Sequence, residues 1–160
     1  MLELYHYHIE MRKKMKEYFG ALPEIQAAAF YLRYQVFVLE QKISPDLEFD
    51  LLDTPDRKYL VFFKENIPVG TIRYQKIDEL TLNPDRLCVG RDYRKQGLGK
   101  KLLKRIEEQA ISEGCIHSIL SAEVSAQSFY EKLSYRVVSD VFEEDGIPCV
   151  KMQKELVSAN

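Results

Sequence analysis

At 160 residues the chain is long enough for one domain with a hydrophobic core of its own, and it is read as a single domain over residues 1–160. The composition, 46% hydrophobic and 30% charged, is that of an ordinary globular protein, and the formal net charge of -2 argues against a dedicated nucleic-acid binder. No apolar run reaches a membrane span, the N-terminus lacks a secretory profile, and the three cysteines (Cys88, Cys115, Cys149) follow no metal-ligand spacing, so a reducing cytoplasm is the expected location.

Residues 2–9, LELYHYHI, alternate as a strand does, with His6 and His8 on one face. That spacing can ligate a metal, but no third ligand accompanies it and no metal is expected. Met11–Phe19 suits a helix, and Gly20 and Pro23 punctuate a loop. From Glu24 to Gln41 the sequence is helical and apolar all round, as in a buried layer. Ile43–Arg57 is an acidic loop holding Asp46, Glu48, Asp50, Asp53 and Asp56; a functional loop and a solvated connector both fit it. A hairpin follows, with strands Tyr59–Phe63 and Pro68–Tyr74 around a turn at Glu65-Asn66. Glu79–Val89 reads as a strand interrupted at Asn83-Pro84.

Its end, Leu87-Cys88-Val89, breaks at Gly90 and runs into a basic turn, Arg94-Lys95-Gln96-Gly97-Leu98-Gly99. An amphipathic helix then starts, with Leu98, Leu102, Ile106 and Ala110 on one face, and Gly114 ends it. Ser118–Ala122 is a strand, Val124–Leu133 a short helix, and Tyr135–Val138 a strand. Asp145-Gly146 makes a turn before a last strand, Ile147–Met152. This order predicts an α+β, three-layer domain: a mixed, mostly antiparallel central sheet with helices on both faces.

Strand, basic glycine turn and helix N-terminus together suit phosphate binding. First-turn N–H groups point outward, the helix dipole adds positive charge, and glycines permit close approach. A P-loop would need Gly where Arg94 stands and Ser or Thr where Lys101 stands. A dinucleotide fingerprint would need Gly at Leu102. Both fail, and R-x-x-G-x-G remains.

Arg94–Gly99 resembles the acyl-CoA pyrophosphate loop of the GNAT N-acetyltransferases. Arg33-Tyr34-Gln35-Val36-Phe37-Val38-Leu39-Glu40-Gln41 resembles the R-x-x-V-F-V-x-E-Q signature of that family's ElaA-like branch, and Glu48, Asp50 and Asp53 its E-x-D-x-x-D. Phe129–Tyr135 is similar to F-Y-x-K-x-G-F, and Asp145-Gly146-Ile147-Pro148 to D-G-I-P. The resemblance runs from about residue 30 to 153 and implies a GNAT fold and acetyl-CoA as co-substrate. It places the pyrophosphate at Arg94, Lys95, Gln96, Gly97, Leu98, Gly99 and Lys100, and the pantetheine arm along Leu87, Cys88 and Val89. The thioester carbonyl would lie near the Val89 N–H, a polarising donor.

Direct acetyl transfer to a primary amine of a small molecule or peptide is the implied reaction. Tyr130 is the expected proton donor to the leaving thiolate, and Glu40, ahead of Glu48 and Asp50, the expected base. A CoA-binding module without catalysis is the alternative. No nucleic acid or membrane is expected as a partner, and an open sheet edge makes a homodimer the expected assembly. Three positions depart from the family pattern: Glu123 for Asn or Gln, Ser134 for Gly and Cys149 for His.

Overall fold

The computed structural model describes residues 14–157. The strand expected at residues 2–9, with His6 and His8, lies outside them, as does the start of the helix expected over Met11–Phe19. The rest of that segment is a strand, β1 (Met15–Gly20), antiparallel to β2 (Lys58–Lys64). Its tertiary context decides the conformation. Tyr18 meets Phe63 edge-on at 5.6 Å and Phe19 meets Tyr74 at 5.3 Å, contacts made across the edge that β2 offers.

One sheet runs β1-β2-β3-β6, with β3 at Ile67–Tyr74 and β6 at Asp85–Val89. Alternation along β2 builds the two flanking layers. Tyr59 and Val61 face helix α1 (Pro23–Arg33), packing with Ile25, Ala29 and Leu32. Leu60 and Phe62 face the other way and join Leu98, Leu102, Leu103 and Ile106 of a later helix, Leu98–Ser112. Helices on both faces of the sheet are observed, as the sequence predicts, but this sheet is wholly antiparallel, and the expected single mixed sheet is divided into two.

The helix expected over Glu24–Gln41 changes character partway. α1 ends at Arg33, and Tyr34–Glu40 forms a π-helix whose closing bond runs from Gln41 N–H to Val36 O at 3.1 Å. After it, Pro45–Glu48 forms a single helical turn, α2. The Leu98–Ser112 helix is α3.

The second sheet runs β4 (Lys76–Asp78), β5 (Thr81–Leu82), β7 (His117–Glu123), β10 (Ile147–Glu155), β8 (Arg136–Val137), with β9 (Phe142–Glu144) also on β10. β5 pairs in parallel with β7, Thr81 beside His117 and Leu82 beside Ser118. The chain then forks. Asn83 Nδ2 donates to Ile119 O at 2.8 Å, its N–H donates to Gln75 O at 2.8 Å, and β6 departs to pair with β3 alone. A bulge drives the departure: Thr71 pairs with Cys88 and Arg73 with Asp85, so β6 carries one extra residue there, with Arg86 at φ +52°. A wedge-shaped gap between β6 and β7 results.

The acidic loop is neither a solvated connector nor open for chemistry along its length. Glu48, at 2% exposure, accepts from Arg33 Nε at 2.8 Å, and Asp53 accepts from Arg33 Nη1 at 2.6 Å. Arg73 reaches Asp85 at 2.7 and 2.6 Å, Asp50 at 2.7 and 3.1 Å, and Asp53 at 3.0 Å. Arg33 and Arg73 have fully buried side chains and bind the loop to the sheet. Burial alone would raise the Asp53 carboxyl, yet hydrogen bonds from Arg33 and Tyr59 hold it well below the usual carboxylate range. Burial lifts Glu48 instead. The depressed group stabilises the fold above an unfolded carboxylate value of about 3.9 and loses that contribution as pH falls. Melting temperature is therefore expected to fall steeply below about pH 4 as Asp53 takes up its proton. A level profile down to about pH 3 would deny the network that role.

Candidate active site

The β6–β7 gap opens into a cleft of about 450 Å³. Leu87 of β6, Ser121 and Glu123 of β7, Cys149 of β10 and Tyr130 are on its walls. Tyr130 stands on α4 (Gln127–Glu131), preceded by the 3-10 turn Val124–Ala126. Its ring is wedged edge-on between Phe129 at 5.0 Å and Tyr135 at 5.8 Å. Desolvation, with the nearby charges of Glu123 and Asp85, pushes its phenol up to about 12, so it keeps its proton at neutral pH.

Main-chain groups of β6 face the same gap. Gly90 N–H donates to Val69 O at 2.9 Å. In an antiparallel ladder the next residue points its N–H and C=O the opposite way, so Val89 directs both away from β3. The Val89 carbonyl accepts from Arg94 Nε at 2.9 Å. Cys88 points its thiol into the layer beneath α1, where burial pushes its pKa up, and by the same alternation its N–H and C=O face β3.

The turn before α3 is built for exposed N–H groups. Gly97 sits at φ +77° with no side chain capping the helix and open space where a Cβ would stand. The next residues, Leu98, Gly99 and Lys100, begin the helix, and their N–H groups have no partner within it. Leu98 turns its side chain into the core, while Lys95, Gln96 and Lys100 are exposed. Gly99 lies against Phe129, on the helix that carries Tyr130: a Cβ there would stand 3.4 Å from Phe129 Cζ, an ordinary contact distance. The donor set fits a pyrophosphate, and the free strand edge fits an amide-bearing arm.

Glu40, the expected base, is paired with the turn before α3. It accepts from Arg94 Nη1 and Nη2 at 3.0 and 2.9 Å and lies 3.7 Å from Arg91. Its carboxylate thus clasps the turn before α3 and is not on the cleft wall. Glu48 and Asp50 do reach that wall but are committed to Arg33, Arg73 and Arg86. Residues that the sequence does not assign to the site also line the cleft: Gln75 and Asn83 at the fork, and Glu144 and Asp145 at the β9–β10 turn. Asn83-Pro84 was the available signal for the fork, and Asp145-Gly146 for the turn.

The Ser134 departure is accommodated directly. It adopts φ +72° in the position expected of Gly, a strain of about 1 kcal/mol that the short helix tolerates as it ends. Cys149 pairs with Glu123 across β7 and with Phe142 across β9; burial raises its thiol, helped by Glu144, Glu123 and Asp145.

A family model described as an acetyltransferase (GNAT) domain matches residues 24–156. The Bacillus subtilis protein called Uncharacterized N-acetyltransferase YjcF is 35% identical over 128 residues, covering 79% of this chain and 90% of its own length. Protein ElaA of Escherichia coli is 31% identical over 142 residues, 82% of this chain and 88% of its own. A crystal structure from Lactobacillus plantarum superposes with a TM-score of 0.87 at 40% identity, covering 89% of this chain and 99% of that one.

Proposed function

Because this chain belongs to the GNAT acetyltransferase family, we propose that it moves an acetyl group from acetyl-CoA directly to a primary amine of a small molecule or peptide. The observation that supports this most is the wedge between β6 and β7: an unpaired strand edge that ends at the Val89 N–H and leads to the uncapped start of α3. Acetyl-CoA supplies the electrophilic thioester carbonyl and a thiolate leaving group.

Each chain residue has a distinct task in this reading. The N–H groups of Leu98, Gly99 and Lys100 take phosphate oxygens, Lys95, Gln96 and Gly97 shape the turn, and Arg94 adds positive charge beside it. Val89 offers main-chain groups on the edge turned from β3, Leu87 lines that edge, and Cys88, whose own N–H and C=O face β3, spaces the two. The Val89 N–H lies where it can polarise a carbonyl. Tyr130 holds its proton until charge develops on the leaving sulfur, then donates it there.

The attacking amine, with an ordinary pKa near ~10, must lose a proton before it can add. Glu40, the expected base, is held by Arg94 and serves to position that arginine. Glu123 takes over as the proton acceptor: it lies on the cleft wall beside Tyr130 and forms no ion pair among the described residues.

Thermal unfolding with acetyl-CoA tests the donor assignment. Ligand at about 100 times its dissociation constant should stabilise by about 2.7 kcal/mol, raising the melting temperature by roughly 5–10 °C. No shift at millimolar acetyl-CoA would remove the donor from the proposal, and thiol release over an amine panel then tests turnover.

A further inference from the structure

The cleft beyond Tyr130 has a strongly one-sided charge. Of its lining residues six are carboxylates (Glu48, Asp50, Asp85, Glu123, Glu144, Asp145) and one, Arg86, is a cation. The first three are satisfied from behind by Arg33, Arg73 and Arg86. The other three have no basic partner within 4.0 Å among the described residues. Strand register gathers them. Glu123, Cys149 and Phe142 lie in one row across β7, β10 and β9, and Glu144, two residues beyond Phe142, returns to the same face opposite Ile147. Asp145 follows at the turn, at φ +50°. The upward shift of the Cys149 thiol, caused first by burial and then by Glu144, Glu123 and Asp145, agrees with that convergence.

A second feature of the cleft also calls for a donor. Gln75 is 8% exposed, and its Oε1 is buried without any hydrogen-bond partner. Its orientation is fixed, because Nε2 donates to Asn83 Oδ1 at 2.9 Å and lies 3.3 Å from Asp85 Oδ2. Turning the amide over would set oxygen against two acceptors. The wall therefore presents free acceptors of two kinds. Its one guanidinium reaches Asp50 at 3.2 Å through Nη2, while its Nε, 3.4 Å from Glu48, is the one buried donor of the wall without a hydrogen-bond partner among the described residues. An anionic acceptor would face repulsion here, and a neutral one would leave three carboxylates without a counter-charge.

We infer that the acetyl acceptor is a small di- or polyamine, which reacts through one amine at Tyr130 while a second ammonium rests against Glu144 and Asp145. The inference depends on the acetyltransferase reading and narrows it to a substrate class. A positive charge entering a cleft whose mouth carries several unpaired carboxylates is attracted to them, and because Glu144 and Asp145 are exposed, salt weakens the attraction.

Thiol release from acetyl-CoA is measured with butylamine, 1,4-diaminobutane, spermidine and a lysine-rich peptide. The diamine or spermidine should exceed butylamine in kcat/KM by at least about tenfold at low salt, mostly through KM, and the ratio should shrink at about 0.5 M salt. In the double variant Glu144→Gln, Asp145→Asn the ratio should fall to about 1; Asn keeps the left-handed turn that Asp145 occupies. Equal rates for butylamine and the diamine, an unchanged ratio in the variant, or a preference for the peptide would each overturn the assignment. Spermidine binding to the CoA-loaded protein, followed by calorimetry, separates the two readings. If no amine turns over, binding that the double variant loses upholds the polyamine site while the transfer reaction fails; absence of binding defeats the polyamine site itself.

Discussion

Replacing Tyr130 by phenylalanine is expected to lower kcat by roughly 10²–10⁴-fold, the range for removal of a positioned general acid. Two observations make the variant informative. The ring is held by edge contacts with Phe129 and Tyr135, which phenylalanine keeps, so the fold should melt within about 1 °C of wild type. The phenol is raised to about 12, so it is protonated throughout the pH range in which an enzyme assay is run, and the lost rate reports the missing O–H. Steady-state kinetics and acetyl-CoA titration are the measurements. A fall in kcat with unchanged cofactor affinity assigns the proton to Tyr130. An unchanged kcat removes it from the mechanism and leaves the ring as a wall of the cleft.

The largest stability effect is expected at Arg73. Its side chain is fully buried and hydrogen-bonds Asp50, Asp53 and Asp85, joining the acidic loop, β3 and the start of β6. Arg73→Ala would strand three carboxylates with only Arg33 and Arg86 nearby. Breaking a buried pair from one side costs about 3–5 kcal/mol, which is on the order of 10 °C in melting temperature for a domain of this size. Arg73→Lys should recover little, because one ammonium cannot satisfy three carboxylates in the way a planar fork does. Denaturant unfolding of both variants checks this. A loss below about 1 kcal/mol for the alanine variant would mean that the network contributes little to stability. Because Asp85 opens β6, the same substitution should also loosen the bulge and weaken acetyl-CoA binding.

Periodicity was enough to read the parts of the fold whose faces are set locally. The alternation of Tyr59–Phe63 and the spacing of Leu98, Leu102 and Ile106 report directly on which layer each residue joins. The fork could be read only as an interruption at Asn83-Pro84, because its geometry depends on Ile119, distant in sequence, accepting from the Asn83 side chain. β1 lies in a segment that could equally be helix by local preference, and its pairing with β2 decides for the strand. β4 and β9, three residues each, are too short for a pattern to emerge.

The site divides in the same way. Gly97 and Gly99 stand out in sequence because a helix entrance has no need of both. Glu40 looked free because Arg94, its partner, lies 54 residues away. The acidic loop reads equally as functional or as solvated, because Arg33 and Arg73, which take up its charge, are not its neighbours in the chain. A carboxylate's surroundings are invisible until the fold assembles them.

The wedge beside β6 also bears on how the molecule avoids sticking to copies of itself. A bare strand edge ordinarily invites a foreign strand, the first step toward aggregation. Here the invitation is too short to accept. At one end β5 already fills its place against β7, and Pro84 has no N–H to offer. At the other end the guanidinium of Arg94 caps the Val89 carbonyl. Between them lies a few residues of backbone, enough for an unbranched chain with scattered amides but too little for a peptide strand, whose side chains emerge every ~3.3 Å on alternate faces.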